Sequence, residues 1–397
     1  MEGISKLLRT SGKRRLDKTR QSYSVLPDGL CRRFSLADIN TATSNFDDDL
    51  VIGEGSYGKV YKGFIDHPTT TSVAIKRVDI KSRQIFDELR TELLLLCQLH
   101  HPNLVPLIGY YLDDQQVILV YEFIPNGTLS KYLHFQEHVC DPLSWKQRLQ
   151  ICIGVARALH YLHSGVKHSI IHRNVKTSNI LLDEKLEPKL INFGDYKMGP
   201  PSLSKDLPRM VSEVVGTVGY LDPEYAMHWE LTDKSDVYSF GVVMFRVLCA
   251  RSAVRRELET DEAHLATWAR KCIQEGTIYQ IIDPYLKGKI APECFKIYMD
   301  IANSCVRNKG KDRPTITEVE VVLEHALELQ ESADAAREDV DPSGGDQYKY
   351  PIVEYTCIAS PPEFEGSLES EGSISDSDST TSAELSLDVA IESPNGQ

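Results

Sequence analysis

Three glycines and a downstream lysine constrain the possible fold of this chain more than any other feature of its sequence. Residues 51–60 read VIGEGSYGKV, and the segments on either side alternate or run apolar, as β-strands do. The glycines therefore lie in a turn between two predicted strands, where backbone N–H groups can approach phosphates closely. Lys76 ends the apolar run VAIK, which predicts a third, buried strand. A lysine on such a strand is costly unless it is paired.

The residues after this turn separate two kinds of nucleotide site. A dinucleotide-binding fold continues as a helix after the third glycine, whereas here the strand pattern continues. Residues 83–99 then predict an amphipathic helix that carries Glu92, which can pair with Lys76 and orient nucleotide phosphates. The alternative is that Lys76 is an exposed lysine on a strand edge and has no role with a nucleotide. The segment LVYEFIPNG at 119–127 predicts a strand and a turn, and is either a linker that contacts an adenine ring or a simple strand end.

Several further motifs follow in a defined order. DPLSW at 141–145 predicts a long helix with Asp141 as its cap and Pro142 at its first position. Downstream stand HRNVKTSN at 172–179, KLINFG at 189–194, GTVGYLDPE at 216–224, SDVYSFGVV at 235–243 and KDRPT at 311–315. No single motif decides the fold, but their order and spacing leave little room for coincidence.

Taken together, residues 50–330 resemble a eukaryotic protein kinase domain. The segments NILLD, GTVGYLDPEY and SDVYSFGVV are similar to the plant receptor-like kinases related to Pelle and the interleukin-receptor-associated kinases. FSLADINTATSNFD, VLCAR and IIDPYLKGKIAPECF are similar to the FERONIA type, whose receptors carry malectin-like ectodomains. Since the sequence shows neither an ectodomain nor a membrane span, we expect a receptor-like cytoplasmic kinase of that branch.

The resemblance implies an α+β, bilobal fold with a small β-rich N-lobe, a larger helical C-lobe and flexible termini. It also implies binding of ATP by the glycine-rich loop, through Ile52, Gly53, Glu54, Gly55, Ser56, Tyr57, Gly58, Lys59 and Val60. Lys76 would hold the α- and β-phosphates and pair with Glu92, and Tyr121 would line the back of the adenine site. Lys176 would touch the transferred phosphate. Asn179 would ligate Mg²⁺ or Mn²⁺.

Two further implied roles concern the large lobe. Asp236 would brace the catalytic loop from its helix, and Glu224 would form a buried ion pair with Arg313.

Two departures from the family pattern affect the chemistry. Asn174 and Asn192 stand where the family has aspartates. The first aspartate accepts and orients the proton of the substrate hydroxyl, and the second holds Mg²⁺ over the β- and γ-phosphates. Asn174 is not a usable base, and Asn192 offers only a neutral carbonyl to a hard dication that prefers carboxylate oxygen. We therefore expect slower phosphotransfer because of Asn174 and weaker binding of the metal ion because of Asn192.

Two other departures are less easily assigned. Asp195 replaces an apolar residue of the family; it could supply a carboxylate to a metal, but we expect its side chain to point elsewhere. Arg246 stands where an acid is usual, and the sequence suggests no role for it.

Three hypotheses about function remain open. In the first, the chain is an ATP-binding pseudokinase that acts as a scaffold or allosteric partner of active receptor-like kinases. In the second, it is a weakly active Ser/Thr protein kinase that relies on proximity and orientation. In the third, it is a scaffold or decoy without bound nucleotide. None of them involves nucleic acid.

Charge and composition predict the domain boundaries. Residues 1–33 carry nine basic and three acidic side chains, and form either a solvated arm or one attracted to an anionic membrane surface. Residues 34–331 form the kinase-like domain, with an N-lobe at about 50–123 and a C-lobe at about 126–331. Residues 332–397 are rich in Ser and acids, which predicts a disordered tail. Nine scattered cysteines without metal-ligand spacing indicate a cytoplasmic protein. If the arm is attracted to the membrane, the contact with the plasma membrane is peripheral.

Overall fold

A computed structural model describes residues 31–55, 58–66, 70–78, 93, 95–113, 116–133, 141–192, 195–201, 210–212, 214–255, 261–338, 350–351 and 355. Three residues of the predicted nucleotide site, Ser56, Tyr57 and Glu92, lie outside this part of the chain, as do residues 1–30 and most of the predicted tail.

The small lobe is built around one β-sheet. Its strands are β1 (Arg32–Arg33), β2 (Val51–Gly55), β3 (Gly58–Ile65), β4 (Thr71–Val78), β5 (Leu107–Leu112) and β6 (Val117–Glu122). They lie in the order β1-β5-β6-β4-β3-β2, and all neighbours are antiparallel except β1 and β5. In β4, Val73 and Ile75 are fully buried. Because side chains alternate along a strand, Lys76 faces the side opposite to this core.

The small lobe starts earlier in the chain than the sequence indicated. Arg32 and Arg33, assigned to the basic arm, pair with β5 and belong to the sheet. Helix α1 (Leu36–Ala42) follows, with Ser35 as its N-cap in a capping box, and its Ile39 is fully buried against the sheet. A Cβ on Gly63 would lie 3.1 Å from the carbonyl oxygen of Ala42, so glycine permits this close approach.

The large lobe consists mainly of helices. They are α2 (Leu129–Leu133), α3 (Trp145–His160), α4 (Pro223–His228), α5 (Asp233–Cys249), α6 (Leu265–Gln274), α7 (Pro292–Cys305) and α8 (Ile316–Glu338). Short strands form three antiparallel pairs: β7 (His168–Ile171) with β10 (Lys197–Pro201), β8 (Ile180–Leu182) with β9 (Pro188–Leu190), and β11 (Met210–Val211) with β12 (Glu230–Leu231). The hairpin of β8 and β9 positions the site, since Asn179 precedes it and Asn192 follows it.

Helix α5 forms the centre of the large lobe. Every residue of it after Asp233 is buried, as expected of a helix that is covered on all sides. A fully buried ion pair between Arg148 on α3 and Asp283, 2.6 Å long, lies beside it. Arg148 also donates to the carbonyl oxygen of Val247 at 2.7 Å, so this guanidinium joins α3 to α5.

The long helix of the large lobe begins three residues later than predicted. Ser144, not Asp141, is the N-cap of α3, and its side chain accepts the N–H of Gln147. The side chain of Gln147 in turn accepts the N–H of Ser144 at 2.8 Å. This reciprocal capping box satisfies two backbone donors that a cap at Asp141 would leave without partners.

The last described helix crosses the predicted boundary of the domain. Helix α8 continues through Glu338, past residue 331. Beyond it, Tyr350 and Tyr355 are buried against the large lobe. The hydroxyl of Tyr350 donates to Asp334 at 2.7 Å, and that of Tyr355 donates to Asp300. These two tyrosines therefore belong to the folded part. Among the described helices, none is both long and apolar enough to span a bilayer.

Candidate nucleotide and catalytic site

The glycine-rich segment forms a hairpin between β2 and β3. Gly53 pairs with Val60 and Gly55 with Gly58 across it. Gly58 has φ 111°, a conformation that favours glycine over any other residue. Glu54 pairs with Lys59 in register, but the ammonium group of Lys59 bonds to Asp48 at 2.8 Å on the surface. The Lys59 side chain is thus engaged with Asp48. Contact of the hairpin backbone with a phosphate stays a prediction.

Lys76 and Tyr121 lie on neighbouring strands behind this hairpin. Lys76 on β4 is in register with Val60 on β3 and with Leu119 on β6. Tyr121 is in register with Ala74, which shares a strand face with Lys76. The sheet therefore brings the end of the glycine hairpin, the lysine and the predicted adenine contact together on adjacent strands. The pairing of Lys76 with Glu92 stays a prediction.

The catalytic loop after β7 is held by one carboxylate from α5. Asp236 accepts the backbone N–H groups of His172 and Arg173, each at 2.8 Å, and contacts Nε2 of His163 at 2.8 Å. The predicted bracing role of Asp236 is confirmed. Burial opposes ionisation of this carboxyl, but the hydrogen bonds from the His163 side chain and the His172 backbone help to outweigh it, and the pKa of Asp236 lies below its ordinary value.

His172 links the loop to the segment that carries Asn192. Its Nδ1 accepts the N–H of Asn174 at 3.2 Å, and its Nε2 donates to the carbonyl oxygen of Ile191 at 3.0 Å. An imidazole that accepts at one nitrogen and donates at the other is neutral. Complete burial lowers the pKa of His172 and favours the same neutral form, although the nearby Asp236 charge opposes the shift.

The side chain of Asn174 is bonded at both ends. Its Nδ2 donates to Oδ2 of Asp195 at 2.9 Å, and its Oδ1 accepts the hydroxyl of Thr217 at 3.1 Å. Thr217 in turn accepts Nζ of Lys176 at 3.0 Å. The structure thus brings together Asn174, Lys176 and Thr217 of the segment at 216–224. It places a hydrogen-bond donor where a general base would have to accept.

The side chain of Asp195 lies against the catalytic loop. Asp195, which the sequence left either as a metal ligand or with its side chain pointing elsewhere, is about nine-tenths buried and its carboxylate faces Asn174. Its carbonyl oxygen also accepts Nη1 of Arg173 at 3.1 Å. The reason is local: a carboxylate that is buried needs donors, and the Asn174 amide supplies one.

The predicted metal ligands carry no charge. Asn179 donates its Nδ2 to the carbonyl oxygen of Asn174 at 2.7 Å, which leaves its Oδ1 as the candidate ligand. Asn192 has φ 70°, a left-handed conformation that asparagine tolerates. Among the described residues, no group of three or more His, Cys, Asp or Glu could hold a metal ion. Two amides do not match the carboxylate preference of Mg²⁺ or Mn²⁺, so the described residues do not fit a resident dication.

The buried ion pair of the large lobe uses a different acid than predicted. Arg313 pairs with Asp222 through two hydrogen bonds of 2.6 and 2.7 Å, not with Glu224. Glu224 instead accepts the backbone N–H of Gly310 at 2.6 Å. Both acids lie at the start of α4, but only Asp222, the N-cap, faces the guanidinium group. Two parallel bonds to a planar guanidinium favour this arrangement.

Arg246 has a structural role that the sequence did not reveal. Its guanidinium group donates to the hydroxyl groups of Thr177 and Tyr220, the latter at 2.6 Å. It thereby joins α5 to the catalytic loop and to the segment at 216–224. The available signal was an arginine inside the apolar run GVVMFRVLC, because a buried cation there must find several polar partners.

These features together define a protein kinase domain. A sequence profile of the family described as "Protein tyrosine and serine/threonine kinase" matches residues 47–323, and the chain belongs to this family. Among curated proteins of Arabidopsis thaliana, it is 50% identical over 325 residues to receptor-like protein kinase FERONIA and 49% identical over 322 residues to receptor-like protein kinase ANXUR2. It is 44% identical over 341 residues to receptor-like protein kinase THESEUS 1.

The similarity covers most of this chain but only part of each relative. The matches cover 82%, 81% and 86% of this chain, but only 36%, 37% and 39% of the respective relatives. The chain thus spans little more than a third of the proteins it resembles. It is a protein kinase domain with strong similarity to plant receptor-like kinases.

Proposed function

We propose that this protein is an ATP-binding pseudokinase of the plant receptor-like kinase type, whose output is contact with an active receptor-like kinase. One observation carries the proposal: the Asn174 side chain donates a hydrogen bond toward Asp195, at the position where a kinase needs a proton acceptor. An amide that donates at this point cannot take the proton of a substrate hydroxyl.

The expected loss of rate is large. Removal of a positioned general base costs roughly 10²–10⁴-fold. The neutral Asn192 further weakens the stabilisation of negative charge on the transferred phosphate. Since residues that act as a unit are not additive, we expect phosphotransfer at least about 10³-fold slower than with both carboxylates.

Retention of nucleotide is supported by the small lobe. Gly53, Gly55 and Gly58 lie in the paired strands of the β2–β3 hairpin. Lys76 on β4 pairs with Val60 beside this hairpin. These groups recognise phosphate through backbone N–H groups and one ammonium charge, neither of which depends on Asn174 or Asn192. Nucleotide bound between the lobes would stabilise the arrangement that a partner kinase contacts.

A slow Ser/Thr protein kinase is the second candidate. Two contacts favour it. Lys176 donates a hydrogen bond to the hydroxyl of Thr217, and Asp236 fixes the catalytic loop by accepting the backbone N–H of Arg173. Correct orientation alone can support slow turnover without a base. Among the described residues, no observation favours the third hypothesis, a scaffold or decoy without nucleotide.

The relatives of this chain indicate the cellular setting. FERONIA, ANXUR2 and THESEUS 1 are receptor-like protein kinases, and we propose that the partners of this chain are kinases of that type at the plasma membrane. Attraction of the basic residues at 1–30 to the anionic cytoplasmic leaflet would hold the protein there, at roughly 1 kcal/mol for each basic side chain near the surface.

Two measurements on one set of variants separate the candidates. ATP binding is followed by calorimetry with EDTA, Mg²⁺ or Mn²⁺, and transfer of labelled γ-phosphate is followed to the chain itself and to a basic protein. Lys76→Ala is the test variant and Lys311→Ala, which removes an exposed lysine of the large lobe, is the control. We expect binding that needs Lys76 but not Lys311, without transfer. Transfer that Lys76→Ala abolishes would show a slow kinase, and absence of binding would show a scaffold without nucleotide.

A further inference from the structure

We propose that Asp195 is a positioning residue that forms a matched pair with Asn174 and closes the position at which a substrate hydroxyl would meet the catalytic loop. This inference deepens the proposed function and rests on it. It rests structurally on the 2.9 Å hydrogen bond between the Asn174 amide and the Asp195 carboxylate.

The direction of this hydrogen bond follows from its neighbours. The ammonium group of Lys176 can only donate, so Thr217 accepts from it and gives its own hydroxyl proton to Asn174. The atom of Asn174 that faces Thr217 must therefore be the oxygen. Its NH₂ group is left to face Asp195, whose carboxylate oxygen accepts the hydrogen bond. Amide orientation, which is otherwise ambiguous, is determined here by three fixed donors and acceptors.

Asp195 is attached to the loop at a second point. While its carboxylate accepts from Asn174, its carbonyl oxygen accepts from the guanidinium group of Arg173 at 3.1 Å. Only 9% of the residue is exposed. One residue of the following segment is thus bonded to two successive residues of the catalytic loop, and a carboxylate in this setting has little access to solvent.

The pair excludes the acceptor hydroxyl by position and by charge. In an active kinase, the residue at this point of the loop accepts and orients the hydroxyl of the substrate. Here that point of the Asn174 side chain is already bonded to Asp195. A hydroxyl would have to displace the carboxylate, and the negative charge would repel the incoming phosphate.

The pair also predicts that restoring one aspartate does not restore a kinase. Asn174→Asp would place two carboxylates within about the 2.9 Å that the hydrogen bond now spans. Like charges at this distance cannot both ionise without a large cost, so one of them would stay protonated or turn away. Replacement of Asn174 by aspartate is therefore tolerated only when Asp195 is replaced as well.

A double-mutant cycle on stability tests the pairing without any assay of activity. The parent, Asn174→Asp, Asp195→Asn and the double variant are unfolded in urea at pH 5 and pH 8, with Glu184→Gln as a control that removes an exposed acid. We expect Asn174→Asp to lower the midpoint, and to do so more at pH 8, where keeping one of the two facing carboxyl groups protonated costs more free energy. The double variant again pairs one amide with one carboxylate, and should recover about tenfold in the unfolding equilibrium constant relative to additivity.

Additive effects in this cycle, or an Asn174→Asp variant as stable as the parent at pH 8, would overturn the proposal. So would a gain in stability with Mg²⁺ that Asp195→Asn abolishes, since it would assign the carboxylate to a metal ion.

Phosphotransfer provides the second arm. Asn174→Asp/Asn192→Asp is compared with the same variant that also carries Asp195→Leu, and with one that carries Asp195→Asn in case leucine impairs folding. We expect both triple variants to transfer γ-phosphate at least about tenfold faster than the double variant. Equal rates in double and triple variants would overturn the proposal. Transfer by the parent itself would contradict the pseudokinase function, while the stability cycle would still decide the pairing.

Discussion

Asp236 on α5 accepts the backbone N–H of Arg173 at 2.8 Å and holds that residue at φ 66°, in the left-handed region. The same carboxylate accepts the N–H of His172, so one buried group fixes the path of the catalytic loop. This support does not involve Asn174 or Asn192. The framework of a kinase site is therefore built independently of the two residues that would perform the chemistry.

Asp236→Asn tests how much this support contributes. The amide keeps one acceptor oxygen but turns an NH₂ group toward a backbone N–H, which leaves a buried donor without a partner. We expect a loss of about 2–3 kcal/mol in the free energy of unfolding, measured in urea. Asp261→Asn removes an exposed carboxylate that pairs with Lys271 and should cost less than about 1 kcal/mol. Equal losses in the two variants would contradict the bracing role.

His172 should make stability depend on pH. Burial lowers its pKa in the folded state below the ordinary value of about 6.5, so the unfolded chain binds the extra proton first. The sign follows: the contribution is present above pH 6.5 and is lost as pH falls from there toward the folded pKa. We expect the urea midpoint to fall between pH 7 and pH 5.

The variant His172→Gln identifies the source of this slope. It should flatten the dependence of the midpoint on pH, whatever its effect on stability at pH 7. Burial also lowers the pKa of His101, so His101→Gln is the matched comparison and accounts for the remaining slope. A slope unchanged in His172→Gln would show that His172 is not kept neutral by folding.

Arg246 should stabilise the contact between α5 and the catalytic loop. Arg246→Met keeps most of the apolar stem but removes the donors to Thr177 and Tyr220. We expect a loss of about 1–3 kcal/mol in the free energy of unfolding, and a smaller loss for Arg246→Lys, which keeps the charge. Arg157→Met, at a half-exposed arginine paired with Glu324, should change stability by less than about 1 kcal/mol. An Arg246→Met variant with the same free energy of unfolding as the parent would refute this role.

The docked residues beyond α8 give a further prediction. Tyr350→Phe keeps the ring, which lies under the Arg337 guanidinium at 4.3 Å, but removes the hydroxyl that donates to Asp334. We expect a loss of about 1 kcal/mol and faster proteolysis after α8. Tyr279→Phe removes a hydroxyl that only accepts a 3.4 Å bond from Gln280, and should leave both measurements unchanged. Identical proteolysis in parent and Tyr350→Phe would argue against docking through this hydroxyl.

The two lobes and the bracing role of Asp236 were predicted through the resemblance to protein kinases, which rests on the order and spacing of the site motifs. The sequence-based prediction was wrong where neighbouring residues of similar chemistry compete. Asp141 and Ser144 are both good caps, and only the capping box with Gln147 decides between them. Asp222 and Glu224 are both acids at the start of α4, and the choice of partner for Arg313 depends on packing.

The contact of Asp195 with Asn174 could not be predicted for a related reason. Whether a side chain in a turn faces the loop or solvent depends on one or two backbone torsions, which composition and spacing do not encode. The same holds for the partners of Arg246, which come from segments about 26 and 69 residues away in sequence.

The fate of bound ATP tests the central claim most directly. With protein in excess over γ-labelled ATP, in Mg²⁺ and then in Mn²⁺, the appearance of ADP and of labelled protein is followed for several hours in the parent and in Lys76→Ala. We predict that the parent retains intact ATP and forms no more ADP or labelled protein than Lys76→Ala. Accumulation of ADP and phosphoprotein in the parent, and not in Lys76→Ala, would contradict the account and define a slow protein kinase.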